Sequence, residues 1–106
     1  AATATGTPRL LGLLGAGQTM YACLHCTSAS AGDTLDVVIK SDELVGFGTP
    51  TPRITFAQVA GGNATYEWKT LAGAVATDVY WAATYTVAGN GGESFDFSLF
   101  IGIADN

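Results

Sequence analysis

Cys23-Leu24-His25-Cys26 is the segment whose residue types come nearest to a reactive site. A Cys-x-x-Cys pair works as a redox dithiol when a helix N-terminus lowers one thiol's pKa. It works as half of a zinc site when further ligands converge on it. Here the flanking residues alternate as a strand does, and in a strand positions 23 and 26 point to opposite faces. Neither chemistry, nor a disulfide between the two, then has the geometry it needs. The plainer reading is two small thiols that fill a strand. His25 is the only histidine, so it is the one side chain whose ordinary pKa lies near neutrality. A Ser-His-Asp arrangement would need Ser28, Ser41 or Ser94 beside it, and no nucleophile-elbow spacing is present. It reads as a histidine on the outward face of a strand.

The other groups with chemical potential are acids and aromatics. Nine carboxylates are scattered along the chain, and no spacing favours one pair as the two acids of a glycosidase. Asp42-Glu43, with Asp33 and Asp36, offers the oxygens of a weak Ca²⁺ site, but no Asp-x-Asp-x-Asp ladder accompanies them. Tyr21, Tyr66, Trp68, Tyr80 and Trp81 could form a sugar-binding platform; core or interface packing is the plainer reading. No catalytic residue, cofactor or metal is assigned, and the chain reads as a non-enzyme.

The elements that would position these residues follow a period of two. Residues 18–28 form a long strand with Met20, Ala22, Leu24 and Cys26 on one face and Tyr21, Cys23 and His25 on the other. Residues 34–40 turn Leu35, Val37 and Ile39 inward. Residues 53–59 carry Ile54 and Phe56 on one face, and residues 64–69 carry Tyr66 and Trp68. Residues 78–87 place Val79, Trp81, Ala83, Tyr85 and Val87 together. Residues 94–103 do the same with Phe95, Phe97, Leu99, Ile101 and Ile103. Ala88-Gly-Asn-Gly-Gly92 between these last two is a strong hairpin signal, which predicts that they pair. Short strands with Gly-rich turns and no convincing helix predict an all-β fold, a single antiparallel β-sandwich, jelly-roll-like. Residues 18–106 are assigned to it. Residues 1–17 are read as an N-terminal arm without structure of its own (1–8) and an apolar docking segment built on Leu10, Leu11, Leu13 and Leu14.

Composition narrows the function classes. The chain has 106 residues, 48% apolar and only 12% charged, with 4 basic and 9 acidic side chains. Typical domains carry about 25% charged residues. Arg9, Lys40, Arg53 and Lys69 are too dispersed to neutralise a run of phosphates, which argues against nucleic acid and against an anionic membrane surface. No apolar run approaches the ~18 residues of a membrane-spanning helix. The start lacks a basic segment followed by an apolar one. It reads as what remains after an initiator Met is removed, with a cleaved export signal as the alternative. A weakly charged, Gly-rich surface suits a component of an assembly.

The order of segments carries a resemblance. Thr34-Leu-Asp-Val-Val-Ile-Lys-Ser41 is followed by Phe47-Gly-Thr-Pro50 and Ile54-Thr-Phe-Ala-Gln-Val59. Ala72-Gly-Ala-Val-Ala-Thr-Asp-Val-Tyr-Trp81, Tyr85-Thr-Val-Ala-Gly89 and Ser94-Phe-Asp-Phe97 then close the chain. Over residues 20–103 this resembles the small β-rich virion structural proteins of tailed bacteriophages. The resemblance implies a virion component, made in the host cytoplasm and placed on the capsid exterior as a decoration (cement) protein. Its partners would be the major capsid protein and further copies of itself, as a dimer or trimer. A tail- or connector-associated module and a carbohydrate-binding module are the alternatives. The expected contact residues are Leu10, Leu11, Leu13 and Leu14, with Phe47, Pro50 and Pro52 of the long loop. On this reading residues 1–14 are dispensable for folding.

Overall fold

The structure is a computed structural model that describes residues 2–29, 32–60, 65–73, 75, 77–89 and 95–105. Among these, nine strands and no helix are found: β1 (Ala2–Thr5), β2 (Arg9–Leu10), β3 (Gln18–Ala29), β4 (Thr34–Asp42), β5 (Thr51–Thr55), β6 (Val59–Ala60), β7 (Thr65–Ala72), β8 (Tyr80–Ala88) and β9 (Phe95–Asp105). They form two antiparallel sheets. The larger has the order β1-β8-β4-β5, with β2 also on β8 and β6 also on β4; the smaller has the order β7-β3-β9. The smallest dimension of the molecule, 15 Å between Cα extremes, fits two sheets stacked about 10 Å apart. The all-β sandwich expected from the sequence is the fold observed.

The inward faces are those the alternation dictates. Met20, Ala22, Leu24 and Cys26 of β3 are buried against Leu35, Val37 and Ile39 of β4, with Ile54, Phe56, Val59 and Trp81 completing the core. Phe95, Phe97, Leu99 and Ile101 of β9 pack on it from the smaller sheet, and Ala83, Tyr85 and Val87 of β8 from the larger. An edge-on contact between the Tyr85 and Phe97 rings, centroids 5.6 Å apart, ties the two layers together.

That contact also explains the main topological correction. β8 and β9 do not pair as a hairpin. β8 pairs with β4 and β1, β9 pairs with β3, and the two stack face to face across the core. An apolar stripe of period two is buried equally well by a strand's neighbour in the opposite layer as by its partner in the same sheet, so periodicity does not decide between them. Of the hairpin signal 88–92, residues 90–92 lie outside the described residues.

A second correction concerns the N-terminus. Residues 2–5 are not a free arm but an edge strand in register with β8, Ala2 opposite Val87 and Thr5 opposite Thr84. Hydroxyl pairs Thr3–Thr86 at 3.1 Å and Thr5–Thr84 at 3.2 Å reinforce it, as cross-strand threonines do. Leu14 is fully buried in the core and bridges to Val75, whose N–H donates to the Leu14 carbonyl at 2.8 Å. It is therefore not a docking residue, and a chain lacking residues 1–14 would lose part of its core. A third difference is local: the strand expected over 53–59 is interrupted, β5 ending at Thr55 and β6 resuming at Val59.

Candidate functional site

One end of the larger sheet gathers most of the predicted contact residues. β2 sets Arg9 opposite Trp81 and Leu10 opposite Tyr80; β4 sets Ser41 opposite Trp81 and Asp42 opposite Tyr80. Leu10, Tyr80 and Asp42 thus form one rung across three strands. Strands are spaced about 4.8 Å apart, so the backbone of Leu10 lies roughly 10 Å from that of Asp42. The loop 43–50 leaves the sheet at this rung. Leu10 (66% exposed), Leu11, Leu13, Leu44 (66%) and Val45 all present apolar side chains to solvent here.

The sequence builds this end by placing polar residues where the core stops. Ser41 continues the inward row of Leu35, Val37 and Ile39, yet it is polar and fully buried. Its hydroxyl donates to Asp78 Oδ2 at 2.6 Å and accepts from Arg53 Nε at 2.8 Å; Arg53 also donates to Asp78 Oδ2 at 3.0 Å. Arg53 reaches inward because the β4–β5 register skips it: Ile39 faces Ile54, but Lys40 faces Pro52. A residue left unpaired by a bulge is free to re-aim its side chain. Asp42 fixes the loop that follows. Its Oδ1 accepts from the Leu44 N–H at 3.2 Å and its Oδ2 from the Thr49 N–H at 3.1 Å. Within this loop Phe47 holds a φ of +55°, an uncommon conformation for a bulky residue that persists only where surrounding contacts impose it. The Phe47 N–H donates to the Leu44 carbonyl at 3.1 Å. The apex bearing Leu44 and Val45 is thus tied down from both sides.

The same network has an electrostatic signature. The Ser41 hydroxyl holds the Asp78 carboxyl below its ordinary pKa; burial opposes this, while Arg53 and Thr77 assist. A depressed carboxylate pKa contributes stability that is fully present above the unfolded value, about 3.9 for aspartate, and is lost as pH falls below it. Asp78→Asn is expected to lower stability near neutral pH by about 2 kcal/mol, since it leaves Arg53 without its counter-charge. It is also expected to flatten the loss of stability between about pH 4 and pH 2. Denaturant midpoints measured across pH 2–7 would check both.

The remaining candidates are placed as follows. Phe47 and Pro50 are half-buried in the loop and Pro52 is exposed in β5. Cys26 faces the core and Cys23 the outside of the smaller sheet, as the strand reading required. His25 is exposed on that same outer side. Ser41, fully buried, cannot meet a substrate and lies in the opposite sheet from His25. Ser94 lies outside the described residues. Asp36 accepts from Gln58 Nε2 at 2.9 Å and lies six residues from Asp42 along β4, about 20 Å in an extended strand. The oxygens considered for Ca²⁺ do not converge. Among the described residues no group of three His, Cys, Asp or Glu side chains is arranged to hold a metal.

Trp81 is core, as its face implied, and Tyr80 is half-buried beside Leu10. Tyr21, Tyr66 and Trp68 are exposed on the outer face of the smaller sheet, where Phe100 joins them. A cavity of about 320 Å³ opens nearby, between β6 and β7, floored by Leu24 and Val59 with Tyr66 and Glu67 at its rim. Glu67 is occupied there: its Oε1 accepts from the Ala57 N–H at 2.8 Å, and Lys69 lies 3.6 Å from its Oε2.

Leu44, Val45 and Phe100 were not singled out by sequence reasoning. The signal for the first two was present: adjacent apolar residues within a loop bounded by Gly and Pro have no core to enter. Phe100 stands at an outward position of a strand whose inward positions are already apolar. No family model matches the chain, and no curated protein or solved structure matches it.

Proposed function

We propose that this chain is a structural component of a tailed-phage particle, a decoration protein that binds the major-capsid lattice from outside and has no enzymatic role. The observation that carries the reading is the end of the larger sheet, where Leu10 lies on the Tyr80–Asp42 rung, the loop bearing Leu44 and Val45 leaves that rung, and Leu10, Leu11, Leu13, Leu44 and Val45 are each exposed. Isolated exposed leucines are ordinary; a cluster on an otherwise weakly charged domain marks a contact surface. The resemblance in segment order over residues 20–103 supplies the kind of particle.

The physics of such a contact follows from its size. Full burial of a leucine contributes about 1.5–3 kcal/mol. The five residues together contribute about 7–15 kcal/mol when fully buried, comparable with the association cost of about 4–15 kcal/mol and leaving little surplus. Single contacts would be weak, and many copies on a shell, or a dimer or trimer with several contacts each, would make the coat stable through avidity. A preordered loop favours this, because Asp42 and Phe47 have already fixed the apex that binds. The test is light scattering of the purified protein combined with co-sedimentation on empty capsid shells. Stoichiometric attachment to shells is expected; a protein that stays in the supernatant at every concentration contradicts the capsid role and leaves the tail position.

A further inference from the structure

The outer face of the smaller sheet is a second surface, on the opposite side of the molecule's core from the sheet that carries the apolar end. Residues directly opposite each other in an antiparallel sheet share a face. Cys23 faces Trp68 on one side and Phe100 on the other; His25 faces Tyr66 and Ser98; Tyr21 faces Thr70 and Gly102. Three successive rungs therefore carry Trp68 (64% exposed), Phe100 (63%), Tyr66 (69%) and Tyr21. The floor between Trp68 and Phe100 is the small, half-buried Cys23. Beside Tyr21, Gly102 has open space where a side chain would stand.

We propose that this face binds an extended, neutral, β-linked oligosaccharide. Three observations select that occupant. The central rungs carry no carboxylate, lysine or arginine: the Glu67 and Lys69 of β7 alternate onto its other face, and Asp96 of β9 stands beyond Ser98 at the end of the face. An anionic partner finds no lysine or arginine among these rungs and a cationic one only Asp96 at their end, whereas the apolar C–H faces of a sugar ring suit an aromatic plane. The face is also small. Three strands about 4.8 Å apart and eight residues at about 3.3 Å each give a footprint on the order of 400 Å², roughly half the ~800 Å² per partner of a standard protein interface. That is too little for a stable dimer through this surface and enough for a few sugar rings. Lastly, the layout is periodic. Trp68 and Phe100 stand about 10 Å apart across the strands, near the separation of alternate rings in a flat β-linked ribbon. The Tyr21, Tyr66 and Ser98 hydroxyls and the His25 ring supply hydrogen bonds at the edges. A coiled α-linked chain would not keep its rings in register with this row.

This proposal does not rest on the capsid reading, because the two surfaces share no residue. The test uses cellohexaose and chitohexaose as probes and tryptophan fluorescence as the readout. Trp81 is 2% exposed and Trp68 is 64% exposed, so a change on adding sugar reports Trp68. A saturable shift is expected with at least one β-linked probe and none with maltohexaose. Calorimetry is expected to show at least a tenfold weaker affinity for both Trp68→Ala and Phe100→Ala. Both residues are solvent-exposed, so the variants should melt with the wild type, which separates lost binding from lost fold. No saturable signal with either β-linked probe overturns the proposal. So does binding that survives both substitutions, or a concentration-dependent dimer that Phe100→Ala abolishes.

Discussion

Replacing Gly73 by alanine is expected to destabilise the protein by about 3–6 kcal/mol, a large share of a domain's stability. A Cβ at this position would lie 1.7 Å from the Gly15 carbonyl oxygen, 2.7 Å from the Gly15 carbonyl carbon and 2.9 Å from the Gln18 carbonyl oxygen. All three are backbone atoms, so no side chain can swing aside. Nor can the backbone yield without loss. The Gly73 N–H donates to Gln18 O at 2.8 Å, the Gln18 N–H closes the turn onto Gly15 O at 3.0 Å, and the Gly15 N–H is held by Gln18 Oε1 at 2.9 Å. Two residues along, the Val75–Leu14 bond and the buried Leu14 side chain depend on the same approach. Overpacking alone costs about 1–3 kcal/mol. Breaking the bonds that close the turn adds about 1 kcal/mol each, against a total stability of about 5–15 kcal/mol for a domain. Thermal melts of Gly73→Ala beside Gly102→Ala would check this. The second has open space around its Cβ and should melt close to the wild type. A Gly73→Ala protein with wild-type melting would mean that the two segments are not in contact.

Trp81→Ala is expected to cost about 3–5 kcal/mol, the range for removing a large buried aromatic. Trp81 is among the largest fully buried side chains and stands where three strands meet, opposite Arg9 of β2 and Ser41 of β4. Its indole N–H also donates to the Gly12 carbonyl at 2.9 Å, which anchors the segment between β2 and Leu14. Trp81→Phe keeps most of the volume but leaves that carbonyl without its donor, so about 1–3 kcal/mol is expected. For a chain of this size each kcal/mol lowers Tm by about 4–8 °C. Calorimetric melts should therefore rank wild type above Phe above Ala, with the Ala variant about 12 °C or more below the wild type.

Much of the fold is legible because most strands obey a strict alternation. Leu35, Val37 and Ile39 against Asp36, Val38 and Lys40, or Met20 to Cys26 against Tyr21 to His25, leave one choice of inward face. What the alternation does not contain is which layer a strand joins. Phe97 meets Tyr85 across the core rather than beside it, and nothing within either strand distinguishes the two arrangements. The arm was hidden for a related reason. Ala2-Thr-Ala-Thr5 has only alanines at the two positions in register with Val87 and Tyr85, and is held mostly by main-chain pairing to β8, an interaction that any sequence short of proline can make. Leu14 looks like its neighbours Leu10, Leu11 and Leu13 in the sequence. Only the turn at 15–18, closed against Gly73, carries it inward. Of the candidate site, the exposure of Leu10, Leu11 and Leu13 was legible, since Gly12 and the alternation left them outside the core stripe. Its rigid support was not legible, because Ser41, Arg53 and Asp78 are distant in sequence and are brought together by a register skip. The outer aromatic face was visible in Tyr21, Tyr66 and Trp68 as outward alternating positions, and Phe100 completes it from β9, whose inward positions are apolar as well.

The central claim is that the apolar end of the larger sheet attaches the protein to a capsid lattice, and paired co-sedimentation tests it most directly. Wild type and the double variant Leu44→Asp/Val45→Asp would be mixed with empty capsid shells over a range of concentrations. Both residues are exposed, so the variant should keep the wild-type melting curve, which is measured alongside. Two carboxylates placed in a desolvated contact are expected to weaken attachment at least a hundredfold, about 2.7 kcal/mol. Stoichiometric wild-type binding with that loss is the predicted result. Equal binding of both proteins, or binding of neither, would contradict the account.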